Sequence, residues 1–196
     1  VPSETQAARK KAGWLAAFGL RLLIALPIVG GVWALFLHPY NRLLCRTTEW
    51  ALHLLEEPEA TRLDYREHVA NLRRLDFAGD RGYLYRIRVT DLHFPTILAW
   101  ALIAATPGAS GRRRFQAFAL GTCLLFAFHT FQLALFVQAV YATQLGGWSE
   151  AHYSFFARNA WGLANHVVDL ALKFAVPLAL WALWFYRDLT FPNSHS

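Results

Sequence analysis

The 196 residues are 56% hydrophobic, with 15 Phe, 8 Trp and only two Cys, and carry a net charge of +6. A soluble domain of this length is expected nearer 45–50% apolar, and here the excess is gathered into long runs, which excludes an ordinary soluble enzyme and predicts a polytopic membrane protein. Many of the basic residues flank those runs, so the orientation rule for membrane loops accounts for them better than nucleic-acid binding does.

The chain begins with a basic tail, residues 1–13. Residues 14–37, WLAAFGLRLLIALPIVGGVWALFL, form the first predicted span; as a helix it covers roughly 36 Å, enough to cross a hydrocarbon core. Arg21 lies about two turns in and can snorkel back toward Arg9, Lys10 and Lys11. No small-residue cleavage site follows, so the run reads as a retained anchor.

Residues 38–91 balance nine arginines against nine acids. Their first half, YNRLLCRTTEWALHLLEEP, places Leu43, Leu44, Trp50, Ala51, Leu54 and Leu55 mostly on one side, predicting an amphipathic helix that lies on the membrane or caps the bundle. The second half changes period. Gly79-Asp80-Arg81-Gly82 separates two strand-like runs, a β-hairpin signal. In the second run Tyr83, Tyr85, Ile87 and Val89 form one face, while Arg86 and Arg88 stand on the other as a solvated pair.

Residues 92–109, LHFPTILAWALIAATPGA, are short and hold Pro95 and Pro107. If they cross, the basic loop 110–114, with Arg112, Arg113 and Arg114, falls on the side of Arg9, Lys10 and Lys11, as the positive-inside rule requires. Pro95 suits a first turn, and Pro107-Gly108 ends the helix. Residues 115–141 and 162–186 give two further spans, joined by an outer loop, 142–161, and 187–196 form the last tail. The expectation is an all-α polytopic protein of the cytoplasmic (inner) membrane, with four transmembrane helices, both termini cytoplasmic, and an extracytoplasmic amphipathic helix and small β-hairpin.

Polar groups inside the predicted spans are the candidate site. Asn165, Asp169 and Lys173 recur at i, i+4, i+8, with His166 three residues before Asp169, and His129 and Gln132 lie three apart on the third span. Such groups face a bundle interior or a wet cavity, because facing lipid costs several kcal/mol for a charge. Counted from the outer helix ends at 1.5 Å per residue, Lys173, Gln132 and His129 lie at roughly similar depths, and His166 is shallower. The pocket is therefore predicted to be lined by His93, His129, Gln132, Asn165, His166, Asp169 and Lys173.

Three chemistries compete for it. The plainest is structural: an Asp169–Lys173 ion pair and hydrogen bonds from His129 and Gln132 between helices. A catalytic cleft would use His152 or His166 as base with Asp169 orienting it, and Thr90, Thr96, Ser149 or water as nucleophile. A b-type haem on His129 is disfavoured by the depth mismatch with His166. HExxH is absent and no two His stand at i, i+3 or i, i+4, so no metal and no cofactor is expected. Cys45 and Cys123 read as packed or idle thiols.

The order of elements, an anchor, an outer amphipathic segment, a hairpin leading into a helix, a tight basic loop, a long helix with a polar pair and a His-bearing loop before the last helix, resembles the exosortase/archaeosortase superfamily. Those are bacterial and archaeal membrane transpeptidases that process C-terminal sorting tails. The resemblance implies a Cys nucleophile just after the hairpin, an Asn-x-x-Arg pattern on the long helix, and a His near the last one. Here the first place reads VTDLHFPT without a thiol, and the second reads His129-Thr-Phe-Gln132. The chain is thus similar to a degenerate member, the accessory group of exosortase-H-associated membrane proteins. That likeness implies a non-catalytic subunit whose partners are lipid and a sorting enzyme or its tail peptide.

Overall fold

A computed structural model describes residues 4–56, 59–76 and 84–190, with side chains from residue 12 to residue 186 within those ranges. Helices dominate. Helix α1 runs Glu4–His53, followed by strands β1 (Thr61–Arg66), β2 (Val69–Arg74) and β3 (Tyr85–Ile87), then α2 (Thr90–His93), α3 (Pro95–Ala105), α4 (Gly111–Thr143), α5 (Gly147–His152) and α6 (Phe155–Val167). A π-helical turn, Val168–Leu172, joins α6 to α7 (Lys173–Thr190). Among the described residues three helical stretches are long and apolar enough to cross a membrane: Ala12–His53, Gly111–Thr143 and Phe155–Tyr186.

Two expectations change here. The run 92–109 does not form one continuous 18-residue helix. Its near-continuous helical part, Thr90–Ala105, rises roughly 24 Å at 1.5 Å per residue, short of a hydrocarbon core of about 30 Å. Pro107-Gly108 cuts it off, with Gly108 at φ +79°, a backbone conformation suited to glycine. Second, the anchor and the amphipathic helix are one element. α1 passes through Pro39 without ending, because its next turns bury Asn41, Leu44, Cys45, Thr48 and Leu52, an i, i+3/i+4 stripe that tertiary packing rewards beyond local propensity. Leu43, Trp50, Leu54 and Leu55 are exposed instead. The buried face was hidden by its own Asn and Thr.

The chain divides into two compact units. One comprises Val1–Leu35, Pro95–Leu124 and Ala175–Ser196. At its centre lies α3, with seven of its eleven residues buried, as expected of a helix apolar all round. Trp100 meets Trp33 of α1 edge to face, ring centroids 5.1 Å apart, and donates its indole N–H to Thr122 Oγ1 of α4 at 3.1 Å. Six residues further on, Thr106 Oγ1 accepts the indole N–H of Trp181 on α7 at 2.9 Å. Arg114 Nη2 caps the free end of α3 by donating to the Thr106 carbonyl at 2.8 Å, supplying one of the partners that terminal carbonyls lack. Ile103, Ala117 and Phe185 fill the space between α3, α4 and α7.

The other unit comprises Phe36–Phe94 and Leu125–Phe174. Its sheet is antiparallel in the order β1-β2-β3, with Thr61 opposite Arg74, Arg66 opposite Val69, and Leu72 opposite Tyr85. The β2–β3 pairing is the one the sequence pattern indicates, although Gly79–Gly82 and Tyr83 lie outside the described residues. The β1–β2 hairpin was missed, because its two-residue turn is Glu67-His68 rather than a glycine pair. Both residues have positive φ, 50° and 66°, the backbone of a type I′ turn. Leu63, Ala70, Leu72, Ile87 and Val89 pack against Leu44, Leu52, Leu133, Val137 and Tyr141 as one core. Arg86 and Arg88 stand out on the solvated side.

Carboxylates and an arginine clamp lace the sheet to its neighbours. Glu49 accepts the Leu63 amide at 2.8 Å and pairs with Arg62 at 2.6 Å, while Glu56 takes the Thr61 amide at 3.0 Å and the Thr61 hydroxyl. Arg74 is held in a fork by Asp76, at 2.8 and 2.7 Å, and its guanidinium sits 4.8 Å from the Tyr141 ring centroid and 4.7 Å from that of Trp148. The hydrogen bonds from Arg74 hold the Asp76 carboxyl below its usual range.

Candidate functional site: a neutral polar cluster in an apolar core

The second unit's core contains a set of polar side chains from four elements. α1 supplies Tyr40 and Asn41, β1 supplies Tyr65, α2 supplies His93, and α4 supplies His129 and Gln132. Asn41, His93, His129 and Gln132 are each at most 1% exposed. Burial at that level demands partners, and most are present. The Tyr40 hydroxyl and His129 Nδ1 are hydrogen-bonded at 2.6 Å. His93 Nε2–H donates to Asn41 Oδ1 at 2.6 Å, and Asn41 Nδ2 donates to the Tyr65 hydroxyl at 3.1 Å. That direction is forced, because an Asn whose amide nitrogen faces Tyr65 offers only an acceptor to the imidazole. The rings of His93 and His129 lie 6.2 Å apart, and Tyr40 packs edge-on against His93 at 5.2 Å and Phe126 at 5.5 Å.

Gln132 is the exception. Both its Nε2 and its Oε1 are buried without a partner among the described residues. An amide left so costs about 1–3 kcal/mol, which gives this position the strongest unmet demand in the cluster.

The other predicted site residues sit elsewhere in the unit. Asn165 and His166 line an open cavity of about 300 Å³ together with Tyr85, Phe136, Thr143 and Gln144. His166 is exposed, and no hydrogen bond joins it to Asp169. Asp169 instead receives the Lys173 ammonium at 2.8 Å, and Lys173 makes no hydrogen bond or ion pair to His129 or Gln132. The π turn over Val168–Leu172 advances fewer degrees per residue than an α-helix, so the stripe drawn through Asn165, Asp169 and Lys173 at 3.6 residues per turn does not continue unbroken. His152 is exposed, stacked on Trp148 at 4.1 Å, with Nδ1 bonded to the Trp148 carbonyl at 2.8 Å.

Chemically, the cluster can orient and hold neutral hydrogen-bonding groups. Ser149, an alternative nucleophile, spends its hydroxyl on the Tyr141 carbonyl at 2.7 Å and accepts the Leu145 amide at 3.0 Å. Cys45 is one turn from Asn41 on α1, 1% exposed and walled by aliphatic side chains, where a thiol behaves as a small hydrophobe. Among the described residues no three His, Cys, Asp or Glu converge as a metal site would need. Tyr40, Asn41 and Tyr65 escaped the sequence reading. The signal available was the spacing of Asn41, Cys45, Thr48 and Leu52, which reads as a buried face once Asn and Thr are admitted to it.

His93 on α2 and the His129–Gln132 pair on α4 meet in this cluster, all at most 1% exposed. Long apolar helices and a core cluster of uncharged hydrogen-bonding groups define an integral membrane protein. Residues 14–188 match the model of the exosortase H-associated membrane protein family, and the chain belongs to that family. Neither the curated proteins nor the solved structures contain a match to it.

Proposed function

We propose that this protein is a non-catalytic accessory subunit of an exosortase-type sorting system, which binds the sorting transpeptidase or the C-terminal tails it handles. The observation that carries this reading is the identity of the groups in the buried polar cluster. Where acyl transfer needs a thiolate and a cation at the developing oxyanion, the core holds two imidazoles, two phenols and two carboxamides. Four of these groups are tied in two pairs by short hydrogen bonds, Tyr40 to His129 and His93 to Asn41, so the cluster rigidifies a scaffold. Family membership supports the association with an exosortase.

The proposed setting is the inner membrane, with four crossings and both termini cytoplasmic. Packing of α3 against α1, α4 and α7 supports its counting as a short fourth crossing, and the Arg112–Arg114 block after it favours the cytoplasmic side for that end. Photo-crosslinking in native membranes from a residue at the exposed rim, Leu163 or Phe156, tests the association. The expected result is capture of a Cys-containing transpeptidase or its tail substrate. Purified protein that cleaves a tail peptide on its own would overturn the non-catalytic assignment.

A further inference from the structure

A second site lies in the other unit, at the start of α4. Ser110, Arg112, Arg113 and Gln116 line an open cavity of about 460 Å³ whose remaining wall is Leu183 and Trp184 of α7. Its polar half is cationic and its other half is greasy. Arg113 is the fixed member: its Nη2 donates to the Trp184 carbonyl at 2.6 Å, its guanidinium lies 5.3 Å from the Phe185 ring centroid, and its amide donates to Ser110 Oγ at 3.4 Å. Arg112 and Gln116 stand one helical turn apart, both exposed and with no partner among the described residues. The sequence has no Asp or Glu between Asp91 and Glu150, so α3 and α4 offer nothing to neutralise the arginine block. On α7, Asp188 is preceded by Arg187. Leu183 is 73% exposed.

We propose that this cavity holds the phosphate head group of an anionic phospholipid, with the acyl chains lying over Leu183. A guanidinium presents paired donors that match phosphate oxygens, and Gln116 and Ser110 supply neutral donors beside it. Both walls belong to helices apolar enough to cross the bilayer, and an indole at such a position is suited to the head-group layer. Basic pockets between spanning helices are a known means of retaining anionic lipids. A free phosphate would leave the apolar half of the cavity unused, which is why the lipid is the assigned source. The assignment is independent of the sorting-system reading, since it concerns neither the polar cluster nor a protein partner.

The test uses the full chain purified in detergent and examined by native mass spectrometry with added phosphatidylglycerol or phosphatidylcholine. Phosphatidylglycerol adducts should persist where phosphatidylcholine adducts do not. Arg112→Gln should weaken phosphatidylglycerol retention about fivefold, as expected for one arginine near a lipid phosphate, and Arg112→Lys should fall between it and the parent chain. Arg86→Gln removes the same charge from the sheet and should change nothing. Equal retention of both lipids, an unaffected Arg112→Gln variant, an equal loss in Arg86→Gln, or displacement of the lipid by millimolar inorganic phosphate would each overturn the assignment.

Discussion

Removing the Tyr40 hydroxyl should destabilise the protein through His129, and the size of the effect is set by burial. Tyr40→Phe keeps the ring and its edge-on contacts with His93 and Phe126, so the change isolates one hydrogen bond of 2.6 Å. The Nδ1 of His129, in a residue 1% exposed, then loses its partner. An unsatisfied buried group costs about 1–3 kcal/mol, while side-chain hydrogen bonds inside membrane proteins average about 0.6 kcal/mol. The short distance and the low exposure favour the upper part of the overlap, about 1–2 kcal/mol. In a chain of this size that shifts the midpoint by roughly 2–4 °C per kcal/mol. A double-mutant cycle with His129→Phe, followed by tryptophan fluorescence on heating in detergent, separates the pair from its surroundings. The two single costs should exceed the double cost by about 1 kcal/mol or more; additivity within about 0.3 kcal/mol would mean that the bond is not made or that water replaces it freely.

Gln132→Leu should raise the midpoint rather than lower it, because it removes an amide unpaired at both ends from an apolar core; a lowered midpoint in the same melt would show the amide to be engaged. The Asp76 carboxyl is depressed by its hydrogen bonds from Arg74, so its contribution is present above the unfolded value of about 3.9 and is lost as pH falls through the lower folded value. Trp148, against which Arg74 stacks, should therefore report a change in fluorescence only in acid, and Asp76→Asn should abolish that acid step. His68→Gly should stabilise the chain by roughly 1 kcal/mol, since φ 66° strains any residue with a Cβ; a melt showing loss of stability would mean that the His68 side chain holds the turn.

Composition and periodicity alone determined a good deal. The apolar runs over 14–37, 115–141 and 162–186 coincide with the three helical stretches long enough to span, because burying a helix in lipid requires an unbroken apolar surface whatever its neighbours are. Pro107-Gly108 marked the end of α3 for an equally local reason, a missing donor followed by a left-handed residue. The order of elements pointed to the family. Everything requiring two distant segments to meet was decided by tertiary structure. α1 continues past Pro39 because Leu44 and Leu52 pack into a core shared with β2 and α4, which no window of α1 can show. His93 and His129 become neighbours because α2 and α4 deliver them to one level, whereas Asn165, His166, Asp169 and Lys173, which a helical wheel puts on the same stripe, are redirected by the π turn and an i, i+4 ion pair. Spacing along one helix fixes which side chains share a face; which face meets which is set only when the helices pack.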